Sequence, residues 1–113
     1  MHGLTVRWSL TDAADGVEEA LREYVEHTSH AGFTGRPGLS FKTWRMRPGE
    51  WFEGCYVFDT AEARERFAAE FTANAAGSPG SKIIGSAPEL IEPCEVVAVA
   101  EGGAGFRAAP RWA

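Results

Sequence analysis

The spacing of apolar residues switches along this chain between a period of two, typical of strands, and a period near 3.6, typical of helices. Strand patterns predict strands over residues 4–10, 39–46, 52–58 and 95–100, and helical patterns predict helices over residues 14–29 and 61–76. The predicted order is therefore strand, helix, strand, strand, helix, strand. This order predicts an α+β domain in which helices cover an antiparallel sheet.

Turn and capping residues mark several boundaries of these elements. Pro48 and Gly49 separate the second and third strand patterns, and this pair favours a tight turn, so we expect a hairpin. Thr11 and Thr60 precede the two helical patterns and are predicted to stand at their N-termini. Residues 82–93 are ambiguous, since they contain apolar pairs without a clear period.

The predicted strands are apolar on both sides. Tyr56 and Phe58 alternate with Val57, and Val97 alternates with Val96. Two amphipathic helices can cover only one face of a four-stranded sheet. We therefore expect a second copy of the chain to cover the other face, giving a homodimer. The alternative is that residues 82–93 or the C-terminal residues fold over that face.

Length and charge limit the class of protein. The 113 residues predict a single domain over residues 1–100, followed by a flexible Gly/Ala/Arg-rich tail over residues 101–113. A net charge of −5 argues against binding to nucleic acid. The sequence shows no signal peptide and no membrane-spanning segment, and it has two cysteines, so we expect a cytoplasmic protein with reduced thiols and no membrane partner.

No metal or cofactor is expected from the motifs. The three histidines, His2, His27 and His30, do not form a ligand set with the cysteines, and no nucleotide-binding pattern is present. The glycines after residue 100 precede no helical pattern, which argues against a phosphate-binding loop.

Several motifs resemble a known family. They are Pro-Gly-Leu-Ser-Phe-Lys-Thr-Trp at residues 37–44, Pro-Gly-Glu-Trp-Phe-Glu-Gly-Cys-Tyr-Val-Phe at 48–58, Ala-Pro-Glu-Leu at 87–90 and Glu-Val-Val-Ala-Val at 95–99. Together they resemble the YdhR-type mono-oxygenases, relatives of the antibiotic-biosynthesis monooxygenases. The resemblance implies a ferredoxin-like βαββαβ subunit with an antiparallel sheet, paired into a dimeric α/β barrel.

The resemblance also implies an activity, although fold alone does not fix function. Some relatives oxidise aromatic compounds without metal or flavin, others degrade haem, and others have no assigned reaction. We therefore expect a cofactor-independent monooxygenase-like protein that acts on a small aromatic or hydrophobic substrate in a cavity between sheet and helices. The alternative is a homodimeric module that binds a small hydrophobic ligand without turnover.

Three residues are the candidate catalytic residues. Lys42 and Trp44 share one face of the second predicted strand, and the resemblance places a lysine and an aromatic residue at these positions. There they could hold an oxyanion and stack on an aromatic ring. Tyr56, on the neighbouring strand, could donate a hydrogen bond to substrate. The alternative is that Lys42 is an edge charge and that the two aromatic side chains belong to the core.

Five further residues are candidates for substrate binding. They are Tyr24 and Phe67 on the helical stripes, Phe58 on the strand face of Tyr56, and the polar residues His27 and Asn74. His27 could also act as a base, or it could be a surface residue near a helix C-terminus. Asn74 could instead be solvated surface.

Overall fold

Four antiparallel strands, with helices on one face, form the fold in the computed structural model, which describes residues 1–106 and residue 110. The elements are β1 (His2–Ser9), α1 (Val17–Tyr24), a π-helical turn (Val25–Ser29), α2 (His30–Phe33), β2 (Leu39–Arg47), β3 (Trp51–Phe58), α3 (Ala61–Ala73), a 3-10 turn (Ala75–Gly77), α4 (Pro79–Ile84) and β4 (Leu90–Glu95). The strands lie in the order β2-β3-β1-β4, and all neighbours are antiparallel. The predicted ferredoxin-like α+β fold is confirmed.

The core lies between the sheet and the helices. Alternate residues of β1 and β3 point to the helical side because successive side chains of a strand face opposite ways. The buried apolar residues of this layer are Leu4, Val6, Trp8, Leu10, Val17, Leu21, Val25, Phe52, Tyr56, Phe58 and Ile84. The chain's core therefore lies on one face of the sheet.

The predicted hairpin is confirmed, and each strand is one residue longer than predicted. Gly49 adopts a φ of 77°, a left-handed conformation that favours glycine, and it completes the turn that Pro48 begins. The pairing of β2 with β3 places Lys42 opposite Tyr56 and Trp44 opposite Gly54. This register sets the geometry of the site described below.

The first helix differs from its prediction at both ends. It begins at Val17 rather than at residue 14, because Gly16 with a φ of 86° directly precedes it, and no side chain caps it. Thr11 instead bonds to Ser9 in the preceding turn. At the other end the helical path continues through the π turn to Phe33, beyond the predicted end at residue 29.

The position of the fourth strand was predicted wrongly. Residues 95–100 were expected to form it, but β4 is Leu90–Glu95, paired with β1. Ile91 packs against the core, whereas Val97 is 89% exposed. Pro93 weakened the strand signal in the sequence, but an edge strand such as β4 tolerates proline.

The ambiguous segment and the second helix are also resolved. The predicted helix over residues 61–76 ends at Ala73, and Thr60 caps its start by accepting a hydrogen bond from the Ala63 N–H at 3.1 Å. Residues 82–93 contain the end of α4 and most of β4. Helix α4 joins α1 and α3 in covering the sheet.

The second face of the sheet is less apolar than the sequence suggested. At its centre lies Glu53, which is fully buried and bound by Arg7 at 2.9 Å and by Arg45. The two guanidinium groups also lie 4.4 and 5.5 Å from the centre of the Trp51 ring. We call these four side chains the outer ionic cluster.

The described C-terminal residues contact β2. The ring of Phe106 lies 5.4 Å from that of Phe41. The remainder of the predicted tail, residues 107–109 and 111–113, lies outside the described residues. In the part of the chain that is described, no helix is long and apolar enough to cross a membrane.

Candidate functional site

A cavity of about 360 Å³ lies between the sheet and the helices. Its walls are mainly aromatic and small residues: Trp8, Tyr24, Ser29, Phe33, Lys42, Trp44, Phe52, Gly54, Tyr56, Phe67, Phe71, Asn74, Gly77, Ser78, Pro79 and Gly80. A volume of this size lies within the range of small-molecule sites. Lys42 is the only charged residue among these lining residues.

Most of the residues selected from the sequence meet in this cavity. Lys42, Trp44, Tyr56, Tyr24, Phe67 and Asn74 all line it. Phe58 does not line it, and instead packs beside Tyr56 with the ring centres 6.0 Å apart. His27 is exposed on the π turn and does not line the cavity either.

The amine of Lys42 lies among three aromatic rings. Its Nζ is 3.5 Å from the centre of the Phe33 ring, 4.3 Å from that of Trp44 and 4.4 Å from that of Tyr56. No ion pair of the described residues includes it. Among those residues no fully buried side-chain nitrogen lacks a partner, so the Lys42 amine is not completely enclosed, and Lys42 lines both this cavity and a smaller one beside His30 and Phe41.

This environment changes the protonation of Lys42. Burial, with a smaller contribution from the nearby charge of Arg36, lowers the pKa of the Lys42 amine from its usual 10.5 to about 6. The guanidinium of Arg36 lies 4.9 Å from the centre of the Phe33 ring, on a loop beside the cavity. At neutral pH the amine is therefore mostly uncharged, and the aromatic faces can stabilise its cation once it gains a proton.

The phenol of Tyr56 is buried and stays protonated. Burial raises the pKa of the Tyr56 hydroxyl, and the nearby phenol of Tyr24 raises it further. A Cβ atom added to Gly54 would lie 3.1 Å from the Tyr56 hydroxyl oxygen. The glycine therefore leaves the space that the Tyr56 ring needs, and Tyr56 can act as a hydrogen-bond donor.

The indole of Trp44 is fixed by the π turn. Its Nε1 donates to the Ser29 Oγ at 3.0 Å, and its ring lies near His30 and Phe33, at 5.8 and 6.0 Å between ring centres. A π turn is an uncommon element that often occurs at functional sites. Here it directs Ser29 and Phe33 towards the cavity.

A second indole, that of Trp8, also lines the cavity. Trp8 Nε1 donates to Ser81 Oγ at 3.0 Å, and Ser81 Oγ donates to the carbonyl oxygen of Ala75 at 2.6 Å. A Cβ atom on Gly80 would lie only 3.0 Å from the Trp8 ring. Helix α4 is thereby held close against β1.

Asn74 ends α3 at the rim of the cavity. Its Nδ2 donates to the Glu70 carbonyl oxygen at 3.0 Å, and the residue is exposed. The exposure agrees with the surface alternative, while its position among the lining residues agrees with a contact to ligand.

Sequence reasoning missed several residues of the site: Trp8, Ser29, Phe33, Phe52, Phe71 and the segment 77–80. The sequence contains a spacing signal for two of these residues, Ser29 and Phe33. Leu21, Val25, Ser29 and Phe33 follow one another at intervals of four residues, which a regular helix of 3.6 residues per turn does not keep on one face. Such spacing is compatible with a wider turn in the helix.

No group of three or more His, Cys, Asp or Glu side chains suited to a metal ion occurs within residues 1–106 and 110. The lining of the cavity contains no histidine, cysteine or acidic residue. Its chemistry therefore depends on one amine, two phenols, hydroxyls, an amide and aromatic faces.

Comparisons with known proteins give a fold and no activity. No protein-family model matches the chain, and no curated protein matches it. A protein of unknown function from Nitrosomonas europaea is similar in structure, with a TM-score of 0.60, 23% identity, and coverage of 90% of this chain and 94% of that one. At this identity the likeness shows a shared fold.

A second solved structure is more distant. It is a "putative antibiotic biosynthesis monooxygenase" from Chloroflexus aurantiacus, with a TM-score of 0.48 and 18% identity over 92% of this chain and 98% of that one. Membership of this chain in the family that its motifs resemble stays a prediction.

Proposed function

We propose that the protein is a cofactor-independent monooxygenase-like enzyme whose substrate is a small, electron-rich aromatic compound bound in the cavity. The observation that carries this proposal is the Lys42 amine, which lies among three aromatic rings and is accessible from an otherwise apolar cavity. An uncharged amine in such a place can accept a proton from a phenol or an activated CH₂ group.

The proposed reaction divides the work among three residues. Trp44 offers a flat face to the substrate ring, and Lys42 Nζ takes the proton from the substrate. Tyr56 donates a hydrogen bond to the substrate oxygen on which negative charge develops. The new Lys42 ammonium then faces that oxygen and stabilises the anion.

Molecular oxygen completes the reaction. The electron pair left by the proton forms a carbon–oxygen bond with O₂, and protonation gives a hydroperoxide. The oxygen–oxygen bond then breaks with loss of water, which leaves a carbonyl group at the former CH₂ or CH position. One oxygen atom enters the product and the other enters water.

Oxygen consumption with a panel of phenols and hydroquinones tests the proposal. Removal of a general base lowers rates by about 10²–10⁴-fold, so we expect Lys42→Met to lower oxygen uptake by at least about 100-fold. Lys82→Met, a matched change at an exposed lysine of α4, should keep the wild-type rate. Equal rates in the two variants would refute a base role for Lys42.

A double variant tests the aromatic positions. Trp44→Phe combined with Tyr56→Phe removes the indole anchor and the phenol, and Trp51→Phe on the other sheet face serves as the control. Oxygen uptake that is unchanged in the double variant would remove both residues from the mechanism.

The second candidate is a binding module without turnover. It is favoured by the cavity lining, which holds no carboxylate or imidazole that could relay the proton onward. Calorimetry with the same panel separates the two candidates. Binding without oxygen consumption would establish the module, whereas binding with consumption would establish the enzyme.

A further inference from the structure

We infer that Lys42 is also a carbonyl-capturing residue, which condenses with an aromatic aldehyde or ketone in the cavity to form an imine. This reactivity goes beyond the proposed oxygenation, because it requires neither oxygen nor an acidic substrate proton. The cavity supplies what such a reaction needs: a nucleophilic nitrogen in its lining and aromatic walls that bind an aromatic body.

The Lys42 nitrogen lies where a bound aromatic carbonyl compound would reach it. Lys42 Nζ lies 3.5 Å from the centre of the Phe33 ring and contacts Trp44 and Tyr56 as well, so an aromatic carbonyl compound that stacks in the cavity brings its carbonyl carbon near the amine. No carboxylate of the described residues pairs with the amine. Its lone pair is therefore available for attack.

The surroundings of Lys42 also activate its amine. Desolvation in an apolar pocket and a neighbouring cation are the two conditions that activate a lysine for imine formation. Arg36 provides the cation and the aromatic walls provide the desolvation, so the amine is largely uncharged at neutral pH. Lys82, the other lysine of the chain, is exposed and therefore lacks the desolvation.

The step balances without a further reagent. The amine lone pair adds to the carbonyl carbon and a proton moves from nitrogen to oxygen, which gives a carbinolamine. Loss of water from it gives the C=N bond. One carbonyl compound is bound and one water molecule leaves, with no change in oxidation state.

Reductive trapping tests the inference. The full chain is incubated with 2-naphthaldehyde and sodium cyanoborohydride at pH 7 under nitrogen, and the adduct is located by mass spectrometry of peptides. We expect addition of the aldehyde mass less one oxygen atom, on Lys42 at least about tenfold more than on Lys82, because an ordinary lysine with a pKa near 10.4 is almost fully charged at this pH.

Two variants keep the result interpretable. Lys42→Arg should abolish the preferred adduct while circular dichroism shows a folded protein, and Lys82→Arg should leave labelling of Lys42 unchanged. Equal labelling of both lysines in the wild type, or none at Lys42, would overturn the inference. Because trapping runs without oxygen, its failure is distinct from failure of the oxygen-uptake test.

The pH dependence gives an independent readout. Labelling of Lys42 should rise through about pH 6 and level off by pH 8, whereas a solvated lysine continues to gain reactivity towards pH 10. The titratable or charged groups around the amine are Arg36, Cys55, Tyr56, Tyr24 and His30. A labelling rate that still rises from pH 8 to pH 10 would contradict an activated amine.

Discussion

Two charged residues on neighbouring strands show how burial produces opposite outcomes. Glu53 and Lys42 lie on opposite faces of the sheet. Glu53 binds Arg7 and Arg45 and keeps its charge, whereas Lys42 has aromatic neighbours and loses its charge. A buried charge is retained where partners compensate its desolvation, and the group becomes neutral where they do not.

Replacing Glu53 by glutamine should destabilise the protein. Burial by itself raises the pKa of the Glu53 carboxyl, but the hydrogen bonds and charges of Arg45 and Arg7 outweigh burial and hold this pKa below its usual 4.5. We expect Glu53→Gln to lower the free energy of unfolding by about 2 kcal/mol at pH 7 in urea titrations.

The difference in unfolding free energy between the wild type and Glu53→Gln should become smaller as the pH falls. The stabilisation is fully present above pH 4.5 and is lost as the pH falls through the lowered pKa of the folded state, so the wild type should approach Glu53→Gln at strongly acidic pH. Glu65→Gln, at an exposed position of α3, is the control and should change little. Equal stability of wild type and Glu53→Gln at pH 7 would contradict the role of the outer ionic cluster.

The lowered pKa of Lys42 also makes the stability of the protein depend on pH. The cause here is burial of the amine, whereas at Glu53 it is the interaction with two arginines. Between about pH 6 and 10 the unfolded chain binds a proton that the folded chain does not, so the free energy of unfolding should rise with pH. The contribution of this one group reaches at most about 1.4 kcal/mol per pH unit.

Urea unfolding of the wild type and of Lys42→Met between pH 6.5 and 9 measures the contribution of Lys42 to the free energy of unfolding. The difference in unfolding free energy between them should change steadily with pH, in favour of the wild type as the pH rises. The Lys82→Met control should show no such trend. A pH-independent difference for Lys42→Met would mean that Lys42 is charged in the folded protein.

At the scale of elements, close approach between helix and sheet shapes the cavity. The π turn brings Ser29 to Trp44, and α4 brings Gly80 and Ser81 to Trp8. Each contact joins an indole of the sheet to a small residue of a helix. The cavity therefore owes its width to two fixed indoles as much as to the helices above them.

Gly80→Ala should disturb the contact between α4 and β1. The added Cβ would lie 3.0 Å from the buried Trp8 ring, which its hydrogen bond to Ser81 holds in place, so we expect a loss of about 1–3 kcal/mol. The matched control is Gly77→Ala, whose Cβ meets nothing within 4 Å and should change stability by less than about 1 kcal/mol. Equal changes in the free energy of unfolding for the two variants, measured in urea, would show that α4 can move away from Trp8 to make room for the added Cβ.

At the scale of the whole molecule, the second face of the sheet decides the assembly. Within residues 1–106 and 110 the helices cover only the first face, and on the second face the outer ionic cluster lies beside the half-buried Cys55 and the buried Val57. The homodimer expected from the sequence stays a prediction. Fewer apolar residues of the sheet support it than the sequence suggested, because residues 96–100 are not part of β4.

Sedimentation velocity tests the homodimer. The wild type should sediment at twice the chain mass, and Thr43→Glu, which adds a charge beside Cys55 on the second face, should raise the monomer fraction at least about tenfold at low concentration. Thr72→Glu on the exposed side of α3 is the control and should remain dimeric. A wild type that is monomeric across the concentration range would contradict the expected dimer.

The sequence by itself determined the α+β class, the hairpin of β2 and β3, and the pair of strands that carries the site. Period-two alternation and the Pro48–Gly49 turn are local properties, so they place Lys42, Trp44 and Tyr56 on one face without knowledge of the rest. Only the tertiary structure decided the position of β4, the π turn and the packing of Trp8 against α4. The tertiary structure also decided the protonation of Lys42. The amine is desolvated by the side chains of Phe33, Trp44 and Tyr56, which belong to three different elements.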